Sequence, residues 1–271
     1  MRAFPHIKMT LDDIFEGVKR LKTGGSKWPA MWQGEGGNRC MKKEDCHKIL
    51  FRAFGKEITI YPSITSGRPI VYLNTFEGEG ERAYQMLRDA ECPDFTLVTI
   101  SGLAWHHDLT PWEMPPVSEG APPCTGGAGE YLRLLTEEIL PEAEAALQGP
   151  VSWRGLAGYS LAGLFAIYAA CQTPVFSRIA SMSGSLWFPG FWEYVSAHDM
   201  AGDITHMYLS LGDRECRTGN PYMKTVQEYT GEIAALCTQK GIDTMFQLNP
   251  GNHFKNAARR TAAGVAWILK R

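Results

Sequence analysis

Gly158-Tyr159-Ser160-Leu161-Ala162-Gly163 joins two segments of opposite character. Before it, Val151 to Gly158 reads as a short strand. After it, Leu161 to Ala170 is apolar nearly all round, the pattern of a buried helix. A serine at a sharp strand-to-helix turn is pushed out above a sheet, and strand and helix nearly touch there. Residues two before and two after the serine must therefore be small, and Gly158 and Ala162 are. The more usual second glycine is here an alanine, followed at once by Gly163. The helix start behind Ser160 supplies free backbone N–H groups and the positive end of a dipole. The Leu161 amide is thus a natural donor to a developing oxyanion. A chance G-x-S-x-A on a tight turn is the bland alternative, and its context argues against it.

Working outward, the chain alternates strand and helix. Glu57 to Tyr61, Pro69 to Leu73, Phe95 to Ile100, Phe176 to Met182, His206 to Leu211 and Thr244 to Leu248 read as strands. The run Pro-Ile-Val-Tyr-Leu at 69–73 is apolar throughout, as in a strand covered on both faces. Helices are expected over 128–147, 222–240 and 256–270, and a long loop over 101–125. This predicts an α/β protein: a mostly parallel sheet with helices on both faces. The stretch between Met182 and His206 is short, which leaves no room for a large lid. The catalytic domain is expected over 41–271. Residues 1–40, with Gly24-Gly25 and Gly34-Glu35-Gly36-Gly37, form a loop-rich extension holding one short amphipathic helix at Asp12–Leu21.

Composition narrows the function class. The net charge is −2 and no basic run exceeds Arg259-Arg260, so nucleic acid is not an expected partner. Seven cysteines at irregular spacing, without C-x-x-C, write neither a zinc site nor a disulfide framework. No apolar stretch approaches a membrane span, and the first residues do not resemble a signal peptide. A cytoplasmic protein without a metal site, acting on a small molecule, is the expectation.

The serine needs a base and an acid. In α/β-hydrolases the chain order is serine, acid, histidine. Of seven histidines, only His253 follows a last strand and precedes the C-terminal helix. The acid should follow the strand at 206–211, where Gly212-Asp213-Arg214-Glu215 stands. Alternation puts Asp213 and Glu215 on the same side, so spacing leaves both open. A second oxyanion donor is expected from the loop after an early strand, at the N–H of Thr75 or Phe76.

Five segments together resemble the "Putative esterase" family of α/β-hydrolases, which includes enterochelin esterases and related siderophore hydrolases. They are the elbow through Ala166, Ser181-Met182-Ser183-Gly184-Ser185-Leu186-Trp187, Ser210 to Glu215, Gly251-Asn252-His253-Phe254, and Asp108 to Trp112. The resemblance covers about Glu57 to the C-terminus. It implies ester hydrolysis through an acyl-enzyme, without metal or organic cofactor, with the last acidic residue of its loop, Glu215, as the acid. It also implies a substrate pocket gathering Trp105, His106, His107, Trp112 and Trp187. Aromatic faces suit flat groups such as catecholate or cinnamoyl rings. The chain lacks a basic cluster to match an anionic siderophore, so aryl and acyl-carbohydrate esters stay open. A non-catalytic binding protein of the same fold is the rival class. Such proteins lose the serine or the histidine, and this chain has both.

Overall fold

The computed structural model describes residues 48–271. The expected extension at 1–40, its helix at Asp12–Leu21 and the domain start at Met41 lie outside the described residues. In chain order the elements are β1 (Ile49–Ala53), β2 (Lys56–Tyr61), β3 (Ile70–Asn74), α1 (Glu79–Asp89), β4 (Thr96–Ser101), α2 (Trp105–Asp108), β5 (Glu113–Met114), β6 (Cys124–Thr125) and α3 (Ala128–Leu134). A π-helical turn (Leu135–Ile139) leads into α4 (Leu140–Ala145). Then follow β7 (Arg154–Tyr159), α5 (Leu161–Gln172), β8 (Arg178–Met182), α6 (Phe191–Ala197), β9 (His206–Gly212), a 3₁₀ turn (Met223–Thr225), α7 (Val226–Gln239), β10 (Asp243–Asn249) and α8 (Ala257–Leu269).

Among the described residues, eight strands form the main sheet in the order β1-β2-β4-β3-β7-β8-β9-β10. The first two pairings, β1 with β2 and β2 with β4, are antiparallel. The other pairings are parallel. Every residue of β3 is buried, as a strand covered on both faces requires. One face packs α3, α5 and α7 through Tyr131, Leu132, Leu164, Phe165 and Ile233. The other packs α1 and α8 through Ala83, Tyr84, Leu87, Val265 and Ile268. The fold is thus an α/β-hydrolase architecture with a mostly parallel sheet.

Several elements depart from the sequence reading. The expected 101–125 loop contains α2 and the small β5–β6 hairpin. Helix α1 was not expected; its apolar stripe (Ala83, Tyr84, Leu87) is short and set among charges. The expected helix over 128–147 is interrupted by the π-helical turn just before Pro141, which cannot donate a backbone hydrogen bond to the ladder. Between β8 and β9 stands the seven-residue helix α6, too small for a large lid. Among the described residues, no helix is long and apolar enough to cross a membrane.

The register aligns the strand ends that carry the site. Asn74 of β3 pairs with Gly158 of β7, and Gly158 with Ser181 of β8. Gly212 at the end of β9 pairs with Asn249 at the end of β10. The crossing of β7 and α5 is tight: a Cβ placed on Gly158 would lie 2.6 Å from the Cβ of Ala162 and closer still to that residue's backbone. Ala162 is tolerated because Gly158 has no side chain. Gly158→Ala should therefore cost about 1–3 kcal/mol of stability through overpacking. Urea unfolding measures this; an unchanged midpoint would show that the crossing has slack.

Candidate active site

Ser160 sits between β7 and α5 with φ 59° and ψ −122°. A side-chain-bearing residue rarely adopts that backbone, and it persists here because the flanking strand and helix over-determine it. The neighbourhood holds the turn closed. The Ser160 N–H donates to the Met182 carbonyl at 3.1 Å, and the Ser160 carbonyl accepts from Gly163, Leu164 and Ser185.

His253 and Glu215 come to Ser160 from two loops at the same sheet edge. His253 Nε2 lies 3.1 Å from Ser160 Oγ. Its other nitrogen, Nδ1, lies 2.8 Å from Glu215 Oε2. With Nδ1–H donating to the carboxylate, Nε2 is left to accept the serine proton. The Glu215 side chain is 5% exposed. Burial opposes its charge, but hydrogen bonds from His253, the Gly212 N–H and Ser183, with attraction to the imidazole, outweigh that. Its carboxyl is held below the usual carboxylate value.

Asp213 has a different place. Its Oδ1 accepts the Gly251 N–H at 2.8 Å, bracing the acid loop against the histidine loop. Its side chain is half exposed, 3.9 Å from Arg214. The expectation that alternation would put Asp213 and Glu215 on one side does not apply, because β9 ends at Gly212 and both residues lie in the following turn.

The two expected oxyanion loops separate on inspection. The Leu161 N–H opens α5, where no helical carbonyl is available to it. The Thr75 N–H is spent on the Ile100 carbonyl at 2.8 Å, so the Thr75 candidate is corrected. Among the described residues, Phe76 N–H has no such engagement.

Beside Ser160 lies a cavity of about 350 Å³. Leu73, Phe76, Ala83, Trp105, Phe254 and Ala258 give it apolar walls, and Glu79 also lines it. Of the five residues expected in the pocket, Trp105 is in this wall; His106, His107, Trp112 and Trp187 are not. Trp112 donates its indole N–H to the Pro189 carbonyl at 2.9 Å and packs on Phe188, Phe191 and Tyr194. It anchors the 101–125 segment. His107 Nδ1 is 2.8 Å from Thr125 Oγ1, and its ring fills the space beside Gly127. Trp187 stacks obliquely on Phe188, and half-buried His106 has its pKa lowered by burial. Phe76 meets Trp105 edge-on at 5.2 Å, so the aromatic wall joins the expected Trp105 to a residue the sequence had offered only as an oxyanion donor. Among the described residues, no group of three His, Cys, Asp or Glu side chains is placed to hold a metal ion.

A family model described as "Putative esterase" matches residues 73–253, a span that begins at the end of β3 and closes on His253. The chain belongs to this esterase family. Its relative YbbA of Bacillus subtilis, an uncharacterized protein, is 24% identical over 189 residues, 67% of this chain and 75% of that one. An IroE-like serine hydrolase from Shewanella oneidensis superposes with a TM-score of 0.66 at 19% identity, over 82% of this chain and 79% of that one. The siderophore hydrolase EstA from Aspergillus nidulans gives 0.62 at 18% identity, over 88% and 99%. At such identities the structural likeness shows the fold.

The esterase also holds site residues that the sequence did not point to. Ser185 Oγ is 3.4 Å from Ser160 Oγ. Tyr159 lies against the His253 ring and donates its hydroxyl to the His253 carbonyl at 2.5 Å. Arg260, 3% exposed, donates to Glu215 Oε1 at 2.9 Å. A signal for Arg260 existed: it shares a helical stripe with Gly264 and Trp267, a charge where an apolar residue belongs.

Proposed function

We propose that the protein is a serine carboxylesterase in which Ser160 is the nucleophile, His253 the general base and Glu215 the acid that orients it. The observation that carries this is the unbroken line Ser160 Oγ, His253, Glu215, at 3.1 and 2.8 Å, hung on a strained elbow. A serine hydroxyl attacks esters only when a base takes its proton as the bond forms. His253 Nε2 would take that proton while Oγ adds to the ester carbonyl. The N–H groups of Leu161 and Phe76 would receive the oxyanion. Collapse expels the alcohol, which takes the proton back from His253. Water then repeats the sequence on the acyl-enzyme and releases the acid. Glu215 stays ionised and stabilises the imidazolium in both halves. Membership of an esterase family and the "serine hydrolase" description of the Shewanella neighbour support this chemistry.

The cavity favours an uncharged ester with an apolar or aromatic part. Leu73, Phe76, Ala83, Trp105, Phe254 and Ala258 line it beside the neutral polar Asn74, Thr75 and Thr261, and Glu79 brings negative charge. A polyanionic siderophore complex fits such a wall poorly, although the Aspergillus neighbour is described as a siderophore hydrolase. A panel of p-nitrophenyl and aryl esters beside a ferric catecholate ester would rank the substrates. Fast aryl-ester turnover and slow catecholate turnover are expected; the reverse order would sink the substrate assignment. A fluorophosphonate probe should label the wild type and leave Ser160→Ala unlabelled. Labelling that survives Ser160→Ala would refute the nucleophile. An absence of both labelling and turnover in the folded wild type would favour the binding-protein alternative.

A further inference from the structure

Glu215 is held from two sides, and only one of them is the imidazole. Oε2 faces His253. Oε1 accepts three donors: the Gly212 N–H at 2.5 Å, the Ser183 hydroxyl at 2.8 Å and Arg260 at 2.9 Å. The Arg260 guanidinium reaches further. It donates to Ser183 Oγ at 3.1 Å, to the Tyr159 hydroxyl at 3.3 Å and to the Pro250 carbonyl at 3.4 Å. One side chain on the first turns of α8 thus ties together the acid loop, the turn after β8, the end of the elbow strand and the histidine loop. Tyr159 passes the contact on, because its hydroxyl donates to the His253 carbonyl.

We propose that Arg260 is a positioning residue of the Ser160–His253–Glu215 line: it occupies Oε1 of Glu215 and braces the loops that carry the acid and the base, so that Oε2 faces the imidazole in one orientation. This rests on the serine-esterase assignment above. The physical case has two parts. A carboxylate with a single partner turns about its last bond, whereas one whose Oε1 is saturated cannot turn without breaking three hydrogen bonds. A guanidinium also presents donors in a fixed planar fork, so it engages several acceptors at once; an ammonium is a compact point charge that cannot span them. Arg260 acts through Glu215 and the histidine loop; it does not itself line the substrate cavity, and Tyr159 stands between it and that wall.

The test is a double-mutant cycle on kcat with an aryl ester, using Arg260→Met, Glu215→Gln and the pair together. Arg260→Met should lower kcat by about 10- to 100-fold with KM nearly unchanged, a smaller loss than that of the acid itself. The pair should be no slower than Glu215→Gln alone, because residues that act through one another are not additive. Arg260→Lys should recover part of the loss. The far-downfield proton resonance of an imidazole N–H bonded to a carboxylate should be present in the wild type and absent in Arg260→Met. If Arg260→Met does not fold, Arg260→Lys takes its place in the cycle with Glu215→Gln. Losses that multiply, a wild-type kcat in the Arg260 variants, or a raised KM with kcat intact would overturn the proposal. These outcomes are separable from failure of the esterase assignment: full turnover in Ser160→Ala would end that assignment, whereas an inactive Ser160→Ala beside unimpaired Arg260 variants would end only the role of Arg260.

Discussion

His253→Ala is expected to lower turnover by about four to six orders of magnitude, as removal of one member of a serine triad does. Without Nε2 at 3.1 Å from Ser160 Oγ, nothing takes the hydroxyl proton as the ester is attacked, and nothing returns it to the leaving alcohol. The other described histidines have no such place. His107 is tied to Thr125, and His198 Nδ1 lies 2.7 Å from the Tyr194 carbonyl. His206 stands at the start of β9 beside Asp243, at the sheet end where that strand begins rather than where the site lies. His106→Ala and His107→Ala should therefore keep turnover within about tenfold of wild type, with His107→Ala showing mainly a lower melting temperature. The comparison is of kcat on one aryl ester, with circular dichroism to confirm the fold. A His107→Ala enzyme as inactive as His253→Ala would overturn the assignment of the base.

The contrast among these histidines shows what a sequence exposes. The elbow is legible because its chemistry demands small residues at fixed offsets, and Gly158 and Ala162 meet the demand in contact. Ser160 and His253 are legible because each follows a strand whose apolar run announces it; the strand at 206–211 announces the acid loop but leaves Asp213 and Glu215 open, and the family resemblance points to Glu215. The pocket is not legible in that way. Trp112 and Trp105 look equivalent in the sequence, yet one indole bonds the Pro189 carbonyl and the other lines the cavity. Which way a loop tryptophan turns depends on partners far along the chain, here Phe188 and Tyr194, and no local period encodes that. Thr75 and Phe76 divide for a similar reason: a single β-type hydrogen bond to Ile100 takes one amide and leaves its neighbour. β1 escaped notice because it is an edge strand whose residues are exposed or half-covered, so it lacks a clear apolar alternation.

Glu215→Gln is expected to cost about 10² to 10⁴ in turnover, and Asp213→Asn much less. The two residues are two positions apart and differ in what they hold. Glu215 accepts the His253 Nδ1–H on one oxygen, and Gly212, Ser183 and Arg260 on the other. A glutamine amide has one acceptor and one donor end. Whichever way it turns, its NH₂ faces either the imidazole N–H or the cluster around Arg260, and the imidazolium loses its charge partner. Asp213 holds the Gly251 N–H and an exposed ion pair with Arg214, is half exposed, and an asparagine oxygen can still accept the Gly251 bond. Asp213→Asn should therefore cost no more than about 1 kcal/mol of stability. Stability against pH gives a second readout for Glu215. Its carboxyl is held below the ordinary value, so its stabilising contribution is complete above that value and disappears as pH falls through the lowered folded one. Glu215→Gln should flatten that acid arm of the stability curve. A folded Asp213→Asn enzyme much slower than Glu215→Gln would exchange the two roles. Near-wild-type rates in both variants would reduce the site to a Ser160–His253 dyad, with the carboxylate serving only to hold the loops.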